Sequence, residues 1–114
     1  MGNPVVHFEI YGSNPSALND FYAKAFGWEI HDPQNMGYGM VHTNADEKGI
    51  GGGITQGVPR VNFVIEVPDL EAKLAEIEKL GGKTVTPVTD MGQVVFAEFS
   101  DPEGNVIGIV KAEN

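Results

Sequence analysis

Residues 61–82 read VNFVIEVPDLEAKLAEIEKLGG. The run Val61 to Val67 is rich in β-branched residues and leads through Pro68 and Asp69 into a segment whose Leu70, Leu74, Ile77 and Leu80 recur at helical spacing, until Gly81 and Gly82 stop it. That is a strand followed by an amphipathic helix, with those four residues as its buried face. Residues 6–28, VHFEIYGSNPSALNDFYAKAFGW, follow the same plan. Val5 to Tyr11 alternates, with Val6, Phe8 and Ile10 on one face and Val5, His7, Glu9 and Tyr11 on the other. Asn14 is placed to cap a helix that starts with Pro15, and Leu18, Phe21, Tyr22, Ala25 and Phe26 carry the apolar stripe to a glycine stop at Gly27.

Three short β-prone segments follow each strand and helix. In the first half they are Trp28 to His31, Tyr38 to Thr43 and Gly49 to Gln56, separated by Asp-Pro, Asn and Gly turn signals; in the second they are Lys83 to Pro87, Gln93 to Phe99 and Asn105 to Lys111. Three anchors tie the halves together. Val6-His7-Phe8 matches Val61-Asn62-Phe63, Phe26-Gly27-Trp28 matches Leu80-Gly81-Gly82, and Gly53-Ile54 matches Val106-Ile107, at offsets of 53 to 55. The expectation is an α+β fold of two βαβββ modules, residues 1–57 and 58–114. At 114 residues the chain has length for one domain and not for two independent ones.

Composition removes several function classes. The formal net charge of −9 opposes binding to nucleic acid, whose phosphates need a Lys/Arg surface, and opposes anionic lipid equally. Without cysteine there is no disulfide, thiol nucleophile or Cys-ligated zinc. The opening MGNPVVHFEI has no basic stretch leading into an apolar one, and no apolar run reaches the roughly 18 residues that a membrane span needs. A cytoplasmic protein is the expectation, with no membrane partner.

The polar face of the first strand draws attention next. His7 and Glu9 are the candidate catalytic residues, because an imidazole and a carboxylate side by side can exchange protons near neutral pH; a polar pocket lining would have the same pattern. Tyr38, Met40 and His42 share a face and supply the mixture of apolar wall and polar groups expected of a ligand site. Trp28, just after the helix stop, reads as a packing residue. His31, immediately before Asp32-Pro33, reads as solvent-facing. The run Gly49-Ile50-Gly51-Gly52-Gly53 lacks the strand-to-helix context and the Gly-Lys-Ser/Thr ending of a phosphate loop, so its glycines point to a bulge or to close approach by a ligand or by the other module.

Taken together, Val6-His7-Phe8-Glu9-Ile10, Phe21-Tyr22 with Phe26-Gly27-Trp28, Leu80-Gly81-Gly82 and Asp101-Pro102-Glu103-Gly104-Asn105 resemble the vicinal oxygen chelate superfamily, which includes glyoxalase I, extradiol dioxygenases and bleomycin-resistance proteins. The resemblance spans essentially the whole chain. It implies two modules around an open half-barrel cleft that holds a small molecule, a homodimer, and, in the family's enzymes, a divalent metal with ligands from the first and last strands of each module.

By that resemblance His7 stands at a ligand position. Its counterpart in the second module is Asn62, a weak donor; the last-strand carboxylate position falls at Gly108, and the matching place in the first module falls near Thr55 or Gln56. A catalytic zinc-type site needs about three protein ligands, so no cofactor is expected. The leading expectation is a protein that binds a small organic molecule without the usual metal, using His7, Glu9, Tyr11, Tyr38, Met40, His42, Asn62 and Glu66. One alternative is a metal-dependent lyase, isomerase or dioxygenase that uses His7 with Glu9, His42 or Glu66. Another is a non-catalytic domain that dimerises or binds a partner.

Overall fold

The computed structural model describes residues 2–32, 37–43 and 48–112. Its contacts group the chain into two compact units, His7–Asn62 and Met1–Val6 with Phe63–Asn114. The turn signals at Pro33 and Asn44 lie outside the described residues.

The first unit is organised by β1 (Val5–Gly12), α1 (Pro15–Phe26), β2 (Glu29–His31), β3 (Gly39–His42) and β4 (Gly51–Gln56). Its strands lie in the order β2-β3-β4-β1, with β4 parallel to β1 and the other pairs antiparallel. Helix α1 starts where expected, because Asn14 Oδ1 accepts from the Ala17 amide at 3.2 Å, and it ends at Gly27, whose φ of 72° is left-handed. The core consists of Ile10, Val41 and Ile54, with Phe8, Leu18, Tyr22, Trp28 and Ile30 packed around them. Trp28 stacks on Tyr22 at 5.1 Å between centroids, in keeping with a packing role.

The apolar stripe of α1 is wider than the surface it covers. Leu18 and Tyr22 face the core, whereas Phe21 and Phe26 are exposed and touch mainly the flank of the same aromatic cluster.

The second unit repeats the order with β5 (Arg60–Val67, whose residues 60–62 group with the first unit), α2 (Leu70–Lys79), β6 (Lys83–Asp90), β7 (Val95–Ser100) and β8 (Val106–Lys111), arranged β5-β8-β7-β6 with β8 parallel to β5. Asp69 caps α2 by accepting from the Ala72 amide at 3.0 Å. Val67, Leu70, Leu74, Ala97 and Ile109 are buried together, and Ile77 packs against them. Leu80 corrects the expected buried face: it is 73% exposed. The helix ends at Lys79, so Leu80 is its C-cap and its side chain has left the stripe. Strand β6 continues past Pro87 to Asp90 because its register with β7 shifts between Thr86 and Thr89, so Pro87 falls in an irregularity where its missing N–H costs no ladder bond.

Strand register also corrects the repeat. Ile10 pairs with Ile54 in one unit and Ile65 with Ile109 in the other, so a single offset of 55 relates both pairs of strands. Gly53 therefore corresponds to Gly108, not to Val106. The burial patterns of β4 and β8 are identical under that offset. A slip of two residues keeps the same face of a strand, which is why the sequence pattern alone tolerated it. Among the described residues no helix is long and apolar enough to cross a membrane.

Candidate functional site

Strand β1 sends Phe8 and Ile10 into the core, so alternation turns His7, Glu9 and Tyr11 to the opposite face of the same unit. Glu9 is the centre of what gathers there. The Tyr38 hydroxyl donates to Glu9 Oε2 at 2.6 Å and the Tyr11 hydroxyl to Oε1 at 3.1 Å. His7 Nε2 lies 3.1 Å from Glu9 Oε2 and 3.1 Å from the Tyr38 hydroxyl. The Arg60 guanidinium sits 4.0 Å above the centroid of the Tyr11 ring, a cation–π contact on the flank of the cluster.

Tyr38 reaches Glu9 because of Gly53. In register, Met40 faces Gly53 across β3 and β4, and Gly53 faces Glu9 across β4 and β1. A side chain at Gly53 would run into the Tyr38 ring and hydroxyl, and one at Gly52 would run into the Phe8 ring on the core side. The close approach expected at the glycine run is thus made by side chains of the same unit.

The environment fixes charge as well as position. Burial pushes the Glu9 carboxyl up, but the hydrogen bonds from His7 and Tyr38, the charge of His7 and the bond from Tyr11 outweigh it and hold the group below its ordinary value. Burial drives the Tyr38 phenol strongly upward, and the bond to Glu9 and the Glu9 charge add to that. At neutral pH the cluster therefore contains a carboxylate and a phenol that keeps its proton.

The other residues singled out from the sequence are placed differently. Met40 and His42 are exposed on β3, on the face opposite buried Val41. The His42 ring meets not His7 but His31, edge-on at 5.8 Å. His31 is exposed, as read, but is the last residue of β2 and pairs with Met40 rather than lying in a turn. Asn62 is 6% exposed, and its Oδ1 accepts no hydrogen bond among the described residues. Glu66 is half-buried in the other unit, opposite Val110. Thr55 faces Tyr11 in register, and Gln56 Nε2 donates to the Ser13 carbonyl at 3.1 Å. Since Gly108 corresponds to Gly53, the first-unit match to the last-strand ligand position moves from Thr55 or Gln56 to a residue with no side chain. Among the described residues no three His, Cys, Asp or Glu side chains gather so as to hold a metal ion.

Arg60 belongs to this cluster without having been singled out from the sequence. The available signal is that it is the sequence's single arginine, set directly before a strand. A separate polar hollow of about 450 Å³ at the start of α1 shares no residue with the cluster. Three of its six polar side chains bond the local backbone: Asn14 to Ala17, Asp32 to Gly37 and Gln56 to Ser13.

Comparison with known proteins bears on this arrangement. A family described as "Glyoxalase-like domain" matches residues 7–110. A Mycobacterium bovis protein provisionally named glyoxylase CFP32 is 28% identical over 114 residues, covering 91% of this chain and 44% of its own length. The chain thus spans under half of that relative. Among solved structures, a glyoxalase/bleomycin resistance protein/dioxygenase superfamily member from Vibrio splendidus 12B01 superposes with a TM-score of 0.67 at 15% identity, covering 97% of this chain and 100% of that one. The Mn(II)-bound glyoxalase from Novosphingobium aromaticivorans gives a TM-score of 0.68 at 15% identity, covering 94% of this chain and 37% of that one. At these identities the structural likeness is one of fold.

Proposed function

The chain belongs to the glyoxalase-like domain family of the vicinal oxygen chelate superfamily, and on that premise we propose that it binds a small organic molecule on the sheet face that carries His7, Glu9, Tyr11 and Tyr38. One observation carries the reading: a partly buried carboxylate on the non-core face of the sheet, ringed by two phenols and an imidazole. Such a group suits a ligand with a hydroxyl or ammonium donor for Glu9 and a flat or apolar body to lie against the tyrosine rings and Met40.

Binding is better supported than acid/base catalysis by Glu9. A carboxylate already held by three donors, with its pKa depressed, is a weak base near neutral pH. The divalent metal that the superfamily implies does not fit the donors at the expected positions. His7 Nε2 is engaged with Glu9 and Tyr38, and Gly108 and its counterpart Gly53 offer no side-chain atom. A homodimer belongs to the same proposal and is checked by sedimentation.

The test is a thermal-shift and calorimetric screen with catechols, hemithioacetal analogues and cationic glycopeptides. A ligand should raise the melting temperature of the wild type, and Glu9→Gln should weaken it by about tenfold or more, the worth of roughly 1.4 kcal/mol. A ligand bound equally well by Glu9→Gln and Tyr38→Phe would remove this face as the site.

A further inference from the structure

The β2–β3 hairpin carries a second group of donors that the His7 cluster does not use. Ile30 and Val41 pair with each other in register and turn toward the core. Their neighbours His31, Met40 and His42 therefore project from the opposite face. His31 and Met40 are directly opposed, while His42 lies two residues along the strand from Met40. Met40 is 48% exposed and both imidazoles are exposed, so no burial cost stands between them and an ion.

The ring geometry is the decisive observation. The centroids of His31 and His42 are 5.8 Å apart at 63° between planes. Two imidazole nitrogens bound to one ion at about 2.0–2.1 Å place their centroids roughly 5–6.4 Å apart for bond angles between tetrahedral and linear. The observed separation falls inside that window, so the two exposed rings stand at the spacing that one shared ion requires. Two histidines alone would accept zinc, nickel or copper, but a thioether beside them shifts the preference toward a soft ion.

We propose that His31, Met40 and His42 form a surface copper(I) site on the β2–β3 hairpin, with a ligand set distinct from the His7 and Glu9 cluster. It shares Met40, but neither of its histidines, with the face proposed to take the organic ligand. It needs no anionic donor, because two imidazoles and a thioether complete a three-coordinate monovalent ion.

The chain contains three histidines, so substitution can separate the two regions. The experiment titrates copper(I) anaerobically into tag-free protein against a chromophoric chelator, with zinc(II) as the parallel probe. The wild type should bind one equivalent of copper(I), and His31→Ala or His42→Ala should weaken it by about 10-fold to 100-fold. Met40→Leu should weaken copper(I) by about tenfold while moving zinc(II) by less than about twofold. His7→Ala should leave the copper(I) affinity within about twofold, and circular dichroism checks that each variant is folded. Absence of stoichiometric copper(I) binding, indifference to both hairpin histidines, or a loss with His7→Ala as large as theirs would overturn the assignment. An unchanged copper(I) affinity in Met40→Leu would overturn the three-ligand site.

Discussion

The two βαβββ units share one backbone plan and differ in what they mount on it. Under the offset of 55, His7, Glu9 and Tyr11 correspond to Asn62, Val64 and Glu66; by register on the neighbouring strands Met40 corresponds to Glu98, and Tyr38, two residues earlier, to Phe96. The glycine opposite the middle residue of each trio is kept: Gly53 faces Glu9, and Gly108 faces Val64. In one unit the open lane over that glycine admits a tyrosine that reaches a carboxylate; in the other the same strand position faces a valine. Repetition of a backbone therefore says little about where chemistry sits. A few side chains on one strand face decide it.

Equivalence of the frames is most severely tested in the cores. Ile54 and Ile109 occupy matching positions and are 0% and 1% exposed. Ile54→Ala and Ile109→Ala should each destabilise the chain by about 2–5 kcal/mol, the usual cost of emptying a well-packed site. Urea denaturation should give losses within about 1 kcal/mol of each other. A difference larger than that would mean that the two cores collapse around a cavity to different extents, and the shared frame would be only nominal.

The glycines should behave unequally. Gly53→Ala drives a methyl group into Tyr38, so it combines overpacking with loss of a hydrogen bond to a charged acceptor and should cost about 2–3 kcal/mol. Gly108→Ala makes one tight contact, with a Val64 methyl at 3.2 Å, and its other neighbours lie at ordinary van der Waals distance, while replacing a strand glycine with alanine gains roughly 0.5–1 kcal/mol in chain entropy. The net change at Gly108 should stay within about 1 kcal/mol by the same denaturation measurement. Similar costs at the two glycines would show that Tyr38 does not depend on the lane at Gly53.

Much of this fold was legible because its signals are local. The alternation of β1, the Asn14 cap, the start of α2 after Pro68 and Asp69 and the Gly27 stop each depend on neighbours in sequence, and each appears where expected. Leu80 failed because helix termination moved one residue off the stripe, a change that periodicity cannot register. The gathering of Tyr38 with Glu9 was only half visible. Strand parity put His7, Glu9 and Tyr11 together, but that Tyr38 crosses Gly53 depends on register between three strands, and one sequence leaves register open by two residues. The pairing of His31 with His42 was hidden for the same reason.

Substituting Glu9 separates the charge of the first unit's cluster from its shape. Glu9→Gln keeps the side chain's size but removes the anion that Tyr38, Tyr11 and His7 serve, and at neutral pH it should cost about 1–2 kcal/mol, the net worth of bonds to a charged group. The folded carboxyl titrates below its ordinary value of 4.5. Its contribution is therefore fully present above that value, where the unfolded chain is also ionised. As pH falls below 4.5 the unfolded state takes up the proton first, and the contribution is lost progressively until the folded group titrates as well. The stability gap between wild type and Glu9→Gln should accordingly be constant near neutrality and close in acid. A gap of the same size on both sides of that range would mean that the cluster holds Glu9 by packing alone, and the contrast with Val64 in the second unit would reduce to one of shape.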